Sequence, residues 1–215
     1  MDTQAFKLMI SSAVGEVSAK YTASDSPVCN LTLAHGAGAG MDHHFMEELA
    51  TSLAEAGAAV LRFNFPFSEQ GKRRPDSPAI AHQTIAAAIA KARTLNPHLP
   101  LIAAGKSFGG RMTSQYLAAH PDVGADGIVF YGFPLHPAGK PSTERAEHLR
   151  LVRIPMLFLQ GSRDALATWA LIQSVCNSLP LASLVRLEGA DHSFKAGKNK
   201  LLPTLVSETL KWVSH

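Results

Sequence analysis

Leu101-Ile-Ala-Ala-Gly-Lys-Ser-Phe-Gly-Gly110 is the stretch that decides the fold of this 215-residue chain. Its first five residues form a short apolar run that is typical of a buried strand, and the residues from Ser107 to Ala119 have the pattern of a helix. Ser107 therefore falls on a sharp turn from strand to helix, inside the pattern Gly-x-Ser-x-Gly. Small flanking residues let such a turn approach its neighbours closely and leave the serine hydroxyl exposed. The alternative is that Ser107 only caps the helix.

The same alternation of strand and helix extends to both sides of this stretch, after a short antiparallel pair of strands around Gly15. Further strands are predicted at 29–34, 59–65, 101–105, 127–132, 156–160 and 184–187. Predicted helices run from Asp42 to Gly57, over 78–95, 107–119 and 165–179, with a last one ending near 213. This alternation predicts an α/β fold with a mostly parallel, doubly wound sheet and helices on both faces. Only the stretch 133–153 is available for a cap, so little or no lid is expected.

The composition is that of a folded chain. Apolar residues make up 46% and charged residues 17%, which excludes an intrinsically disordered protein. The 16 glycines and 13 prolines follow no repeat, so collagen-like and linker-dominated architectures are also excluded. At roughly 150 residues per domain, a single domain over 1–215 is expected.

Charge, cysteine usage and hydropathy limit the binding partners and the cellular compartment that can be expected for this chain. The net charge is only +3, and the basic residues are scattered apart from Lys72, Arg73 and Arg74, so no nucleic-acid partner is expected. Cys29 and Cys176 lie in apolar runs without zinc-ligand spacing, which favours buried free thiols in a reducing compartment. No apolar run approaches the roughly 20 residues needed to span a membrane, and no secretory segment is recognisable. We therefore expect a cytoplasmic protein without a membrane partner.

Small and polar residues follow four of the predicted strands. In parallel sheets the carboxyl ends of the strands meet at one edge, where the chemistry lies. A serine hydroxyl needs a base, and the base needs an orienting acid, so we predict Ser107 as nucleophile, His192 as base and Asp164 as acid. Their order along the chain, Ser, Asp, His, is the one expected for a nucleophile on this kind of turn. The four segments are His35-Gly-Ala-Gly38, 105–109, Gly161-Ser-Arg-Asp164 and Gly189-Ala-Asp-His192.

Other roles for these residues stay open. Asp164 is also suited to cap the helix predicted directly after it, and His192 can instead be a loop histidine that only packs. Asp191 is adjacent to His192 and is poorly placed to reach its ring. Glu144 and Glu147 lie in a predicted short helix rather than directly after a strand. Asp164 is therefore the preferred acid.

The oxyanion formed by attack on a carbonyl needs hydrogen-bond donors. The predicted donors are the backbone N–H groups of Phe108, at a helix N-terminus, and of Ala37, in the glycine-rich loop. His35 is expected to be a structural residue of that loop. His43 and His44 are neighbours, so they diverge by about 100° on a helix and form a weak metal pair. No metal and no organic cofactor is predicted.

Several residues have both a structural and a substrate-binding interpretation. Arg111 follows Ser107 by four residues; an internal ion pair is the commoner use of such a residue, and contact with a substrate is the alternative. The basic residues from Lys72 to Arg74 either form a solvated loop or attract anionic substrates to the site. Four residues in the loop after the strand at 127–132 are expected to line one side of the site: Pro134, His136, Pro137 and Lys140.

Together these motifs resemble the α/β-hydrolases, in particular the small dienelactone-hydrolase-like branch of serine hydrolases, over nearly the whole chain. The resemblance implies an α/β-hydrolase fold and a triad of Ser107, Asp164 and His192. Dienelactone hydrolases proper use a cysteine nucleophile, which this chain lacks at the turn, so dienelactone is not implied as the substrate. The triad order and four segments carry the resemblance: His35-Gly-Ala-Gly38, Leu61-Arg-Phe-Asn-Phe65, Gly105-Lys-Ser-Phe-Gly-Gly-Arg111 and Tyr131-Gly-Phe-Pro-Leu-His-Pro137.

We expect a serine hydrolase that cleaves a small ester, thioester or related acyl bond of a small-molecule substrate through an acyl-enzyme. The scarcity of lid material predicts an open site that prefers short acyl chains. A non-catalytic interaction protein that keeps the hydrolase scaffold is the first alternative, because fold does not establish function. Acyl transfer to an acceptor other than water would use the same groups and is the second.

Overall fold

The computed structural model describes residues 3–214 and contains one eight-stranded sheet covered by helices. The strands of this sheet are β1 (Thr3–Ser11), β2 (Gly15–Ala23), β3 (Cys29–Ala34), β4 (Ala58–Phe63), β5 (Leu101–Lys106), β6 (Gly127–Tyr131), β7 (Met156–Gly161) and β8 (Ala182–Leu187). The helices are α1 (His44–Glu55), α2 (Pro66–Glu69), α3 (Pro78–Leu95), α4 (Phe108–Ala119), α5 (Trp169–Asn177) and α6 (Leu202–Val213), with a 3₁₀ helix at Glu144–Leu151. A small hairpin of β9 (Lys195–Ala196) and β10 (Asn199–Lys200) lies outside the sheet.

The sheet is mostly parallel, as the sequence predicts. Its strand order is β1-β2-β4-β3-β5-β6-β7-β8. Strand β2 is antiparallel to both of its neighbours, and every other adjacent pair is parallel. The carboxyl ends of β3, β5, β7 and β8 therefore lie at one edge of the sheet, where their loops meet.

Helices cover both faces because successive side chains of a buried strand point to opposite sides. In β6, Ile128 and Phe130 pack into the core beneath α3, α4 and α5, whereas Val129 and Tyr131 pack into the core beneath α1 and α6. Burying each large side chain of this kind contributes about 1.5–3 kcal/mol. The doubly wound arrangement predicted from the apolar strands is confirmed.

Helices α1 and α5 begin two and four residues later than the sequence predicts, and α4 begins one residue later. Helix α5 starts at Trp169 rather than at 165 and has Thr168, not Asp164, at its N-cap position. The Asp164 carboxylate instead accepts hydrogen bonds from His192 and from the Leu166 N–H. The alternative that Asp164 is a helix cap is therefore wrong. Helix α1 is capped by His43, whose Nδ1 accepts a hydrogen bond from Phe45 N–H, while the predicted cap Asp42 forms an ion pair with Lys20.

The strand predicted at 59–65 is two residues too long at its C-terminal end. It ends at Phe63, and the chain then turns into the short helix α2, which has Pro66 at its first position. Phe65 and Phe67 are both buried, so their apolar character continues the strand pattern into a segment that is not a strand.

Both cysteines are free and buried, as the sequence predicts. Burial raises the pKa of Cys29 to about 11 and that of Cys176 to about 12, which keeps both thiols protonated. Within residues 3–214, no helix combines the length and the apolar character that crossing a bilayer requires.

Candidate active site

Ser107 occupies a strained turn between β5 and α4. Its backbone angles are φ 50° and ψ −114°, and a non-glycine residue with positive φ typically costs about 1–3 kcal/mol. The flanking glycines make the turn sterically possible. A Cβ on Gly105 would lie 2.3 Å from the Gly110 nitrogen, and one on Gly109 would lie 2.5 Å from the Ala34 carbonyl oxygen. The sequence Gly-x-Ser-x-Gly therefore reflects close backbone packing that holds the serine hydroxyl outward.

Three side chains from separate loops form one continuous line of hydrogen bonds. His192 Nε2 lies 2.8 Å from Ser107 Oγ, and His192 Nδ1 lies 2.7 Å from Asp164 Oδ2. An ionised carboxylate only accepts hydrogen bonds, so Nδ1 carries the proton and Nε2 is left to accept from the serine hydroxyl. The Ser107 side chain makes no capping bond to α4, and so the interpretation of this residue as a simple helix cap is wrong.

The Asp164 carboxylate is held in place by further donors. Its side chain is only 1% exposed. Besides His192, its Oδ2 accepts from Gln160 Nε2 at 2.6 Å and its Oδ1 accepts from the Leu166 backbone N–H at 2.7 Å. Gln160 is anchored in turn, because its Oε1 accepts from the Phe133 N–H at 2.9 Å. These bonds fix the carboxylate oxygen that faces the imidazole.

Gln160 was not predicted as a site residue. The signal was present, since Gln160 is the one polar side chain in the otherwise apolar sequence of β7. Buried polar side chains need hydrogen-bond partners, and a glutamine four residues before a candidate acid is a candidate for holding it.

The other acids do not take part in this line of hydrogen bonds. Asp191 Oδ1 accepts from the backbone N–H groups of Ser193 and Lys195, which shapes the loop that carries His192. Glu144 and Glu147 are exposed in the 3₁₀ helix.

Lys106 is a second residue that sequence reasoning missed. Its Nζ donates to the His192 backbone carbonyl oxygen at 2.7 Å and lies 5.0 Å from the centre of the Phe194 ring. Burial lowers the pKa of Lys106 to about 8, although the negative charges of Asp164 and Asp191 act in the opposite direction.

Two backbone N–H groups next to Ser107 are free to bind an oxyanion. In the part of the chain that the structure describes, neither Ala37 N–H nor Phe108 N–H donates a hydrogen bond. Both residues line a cavity that reaches Ser107. Oxyanion holes use backbone donors of this kind, so both N–H groups are available for the predicted role.

His35 supports the loop that carries Ala37. Its ring is fully buried, with Nδ1 donating to the Gly36 carbonyl at 2.7 Å and Nε2 accepting from the Phe65 N–H at 3.0 Å. Burial lowers the pKa of His35 to about 4, so the ring stays neutral in this structural role.

Two cavities meet at Ser107. One has a volume of about 420 Å³ and contains Phe45, Met46 and His192 in its lining. The other has a volume of about 360 Å³ and reaches Arg111 and Arg145. Ala37, Ser107 and Leu166 line both, so a substrate that spans them has its middle at the serine hydroxyl.

The expectation of an internal ion pair for Arg111 is wrong. Within the described residues its guanidinium forms no ion pair. Asp76 lines the same cavity, and its Oδ2 accepts a hydrogen bond from the Phe67 N–H. The exposed Lys72 and Arg73 line a separate, smaller cavity beside the glycine-rich loop.

The predicted wall of the site is only partly observed. Pro134 lines the cavity that contains Arg111. His136 is buried and accepts from the Thr168 N–H, while Pro137 and Lys140 are exposed and line neither cavity at Ser107. Across residues 3–214, no cluster of three or more metal-ligating side chains is found, and the predicted weak pair of histidines is not part of one.

Comparison with known proteins agrees with this architecture. Residues 27–206 match the family profile described as an alpha/beta hydrolase domain. The fold is similar to dienelactone hydrolase from Anabaena variabilis, with a TM-score of 0.76 and 19% identity over 100% of this chain and 99% of that one. It is also similar to an α/β serine hydrolase without a lid from Xanthomonas campestris, with a TM-score of 0.75 and 22% identity over 99% of this chain and 95% of that one. Est1E from Butyrivibrio proteoclasticus gives a TM-score of 0.75 and 13% identity, covering 98% and 99% of the two chains. The predicted fold class is confirmed.

Proposed function

Because this chain belongs to the alpha/beta hydrolase domain family, we propose that it is a serine hydrolase that cleaves a small ester, thioester or related acyl bond. The observation that carries the proposal is the unbroken line of hydrogen bonds from Asp164 through His192 to Ser107. A scaffold that only binds a partner has no need of a strained serine aligned with a base and a buried acid.

In the first half of the reaction, Ser107 Oγ attacks the carbonyl carbon while His192 Nε2 takes the hydroxyl proton. The negative charge that develops on the carbonyl oxygen is met by the N–H groups of Ala37 and Phe108. Asp164 stabilises the imidazolium that forms. When the tetrahedral intermediate collapses, the bond to the leaving alcohol or thiol breaks, and Nε2 returns the proton to that group. The acyl group remains on Ser107.

In the second half, water takes the place of the alcohol. His192 Nε2 removes a proton from the water as it attacks the acyl carbon, and the same two N–H groups stabilise the second tetrahedral intermediate. Collapse breaks the bond to Ser107 Oγ, which regains the proton. The carboxylic acid product then leaves, and the protein itself supplies the nucleophile, the base and the oxyanion donors.

The cavities support a small substrate. Their volumes of about 420 and 360 Å³ lie toward the lower end of the range of about 300–1,000 Å³ for small-molecule sites. A long acyl chain would extend beyond such a cavity, and its exposed methylenes would not gain the roughly 0.8 kcal/mol that each buried one contributes. We expect p-nitrophenyl acetate and butyrate to be cleaved with higher kcat/KM than esters of twelve or more carbons. A preference for the long chains would contradict the proposed small-substrate site.

The direct test of the proposed function is labelling with a fluorophosphonate, which reacts with activated serines. Ser107 is expected to carry the label, identified by mass spectrometry of the peptide. Ser107→Ala should abolish both labelling and ester hydrolysis, whereas the matched control Ser207→Ala, on the exposed face of α6, should retain both. A wild-type protein that neither takes the label nor cleaves any ester of the panel would overturn the proposal.

A further inference from the structure

Arg111 projects toward the smaller of the two cavities at Ser107 without a protein partner. It lies one turn of α4 after the serine, a rise of about 5–6 Å along the helix. Its Nε is buried and has no hydrogen-bond partner, and its guanidinium forms no hydrogen bond or ion pair with any residue from 3 to 214. A buried donor without a partner is costly, so arginines in such positions normally meet a carboxylate or another acceptor.

The groups around Arg111 are mostly positive or neutral. Arg145 lines the same cavity, where its Nη1 donates only a long bond of 3.4 Å to the Pro134 carbonyl. Burial, together with the charge of Arg145, lowers the pKa of Arg111. His148 Nε2 is hydrogen-bonded to Ser114 Oγ, and burial lowers the pKa of His148 to about 4, so this ring adds no charge at neutral pH.

Among the described residues, Asp76 is the one acid that lines this cavity, and it offsets only one of the two arginine charges. Its Oδ2 accepts from the Phe67 N–H at 2.9 Å, and it forms no ion pair with Arg111 or Arg145. Two arginines and one aspartate leave the cavity with one net positive charge.

We propose that this cavity is a substrate subsite in which Arg111 and Arg145 bind a carboxylate carried by the ester. The inference rests on the proposed function, because it places the charged end of the substrate relative to the carbonyl at Ser107. Guanidinium groups match the planar geometry of a carboxylate and bind it through paired hydrogen bonds. A phosphate monoester, with a charge of about −1.5 to −2 at pH 7, fits a single net positive charge less well.

The position of the subsite sets the length of the substrate. The cavities share Ala37, Ser107 and Leu166, so one end of a spanning ester lies beside Arg111 and the other beside Phe45 and Met46. A carboxylate a few bonds from the scissile carbonyl can therefore reach Arg111 while the remaining part of the ester occupies the more apolar cavity.

Two matched ester pairs test on which side of the ester the charge lies. p-Nitrophenyl hydrogen glutarate against p-nitrophenyl valerate places the charge on the acyl side, and 4-acetoxybenzoate against 4-acetoxybenzamide places it on the leaving-group side. For at least one pair, kcat/KM of the anionic ester should exceed that of the neutral ester. Ser107→Ala protein measures the uncatalysed background.

Arg111→Met should lower the anionic-to-neutral ratio of kcat/KM about tenfold, which corresponds to about 1.4 kcal/mol. Arg145 lines the same cavity from the 3₁₀ helix, so Arg145→Met should lower the ratio as well. If Arg111→Met does not fold, Arg145→Met alone tests the subsite. Arg150→Gln, exposed on the same 3₁₀ helix and outside the cavity lining, is the control and should leave the ratio unchanged. Ratios that neither cavity variant changes would overturn the inference while leaving the proposed function standing.

A binding measurement separates failure of the subsite from failure of the proposed function. In calorimetric titrations the wild-type protein should bind the monoanion butyrate more tightly than neutral butyramide or inorganic phosphate, and Arg111→Met should lose the preference for butyrate. If no ester is cleaved but this preference holds, the subsite stands and the hydrolase proposal fails. Equal binding of butyrate and butyramide would overturn the subsite, and tighter binding of phosphate would overturn its assignment to carboxylates.

Discussion

Lys106 Nζ donates a 2.7 Å hydrogen bond to the backbone carbonyl oxygen of His192. The residue directly before the candidate nucleophile thus holds the loop that carries the candidate base. The bond links the end of β5 to the loop after β8, although no strand pairing joins these two elements. We infer that Lys106 positions the imidazole over Ser107.

Lys106→Met removes this bond and keeps a side chain of similar length. We expect kcat for p-nitrophenyl acetate to fall about tenfold or more with KM little changed, because a displacement of about 1 Å at a catalytic group can cost about 100-fold in rate. The rate of fluorophosphonate labelling should fall in parallel, which a merely structural lysine would not cause. Lys198→Met, exposed in the turn between β9 and β10, is the control. Wild-type kcat and labelling rate in Lys106→Met would show that His192 needs no such support.

Gln160 is predicted to position the acid of the triad. Gln160→Met keeps the volume but removes the 2.6 Å bond to Asp164 Oδ2, so the carboxylate can rotate away from His192 Nδ1. We expect kcat to fall about three- to tenfold and the free energy of unfolding to fall by about 1–3 kcal/mol, because Phe133 N–H loses its acceptor as well.

The spectroscopic readout for Gln160 is the far-downfield proton resonance of the bond between His192 Nδ1 and Asp164. This resonance should shift or broaden in Gln160→Met and stay unchanged in Gln173→Met, an exposed control on α5. If the variant retains both the resonance and kcat, the Leu166 N–H alone is sufficient to orient the carboxylate.

The fold follows from local signals in the sequence. The predicted strand at 29–34 and the predicted helix at 78–95 have the observed bounds of β3 and α3, because a buried apolar run and a proline at the first helical position mark these ends locally. The predicted start of α5 was wrong because no local signal in the sequence marks it. Whether Asp164 caps a helix or binds His192 depends on a loop 28 residues away, and no local pattern carries that information.

In the candidate site, too, residues marked by local sequence signals were predicted, and contacts between distant segments were not. Ser107, Asp164 and His192 could be proposed because each follows a strand, and parallel strands bring their carboxyl ends together. Lys106 was missed because its partner, the His192 carbonyl, lies in a loop 86 residues away. Gln160 lies only four residues before Asp164, so it could have been proposed from the sequence. Arg111 was expected to form an internal ion pair, and only the packed structure shows that it forms none with the described residues, although Asp76 lines the same cavity.

Glu69 makes stability depend on pH. Burial acts to raise the pKa of Glu69, but hydrogen bonds from Lys7, Asn64 and Ser18 outweigh it and lower that pKa to about 2. A folded-state pKa below the unfolded value of about 4.3 means that the contribution to stability is present above that value and is lost as the pH falls toward 2.

Glu69→Gln should therefore lower the free energy of unfolding at pH 7 by about 1 kcal/mol. This is below the range of about 1.5–3 kcal/mol for hydrogen bonds to charged groups, because part of the carboxylate is solvated. Urea unfolding at a series of pH values measures this. The difference between wild type and variant should shrink as the pH falls from about 4.3 to 2. Glu55→Gln, exposed at the end of α1, is the control, and a difference that is constant with pH would rule out the carboxylate as its source.

The basic run from Lys72 to Arg74 should act on anionic esters at long range, in contrast to Arg111. All three side chains are exposed, and Lys72 and Arg73 line the small cavity beside the glycine-rich loop rather than the two cavities at Ser107. Replacing all three by Gln should lower the anionic-to-neutral ratio of kcat/KM about two- to fivefold at low salt, the range expected for exposed charges. The effect should vanish near 1 M salt, where the Debye length is about 3 Å, whereas the effect of Arg111→Met should persist because buried pairs are screened much less.

A triple variant of Lys198, Lys200 and Lys211 to Gln changes the net charge by the same amount and is the control for net charge. An unchanged ratio at low salt in the first triple variant would assign this loop to solvation alone.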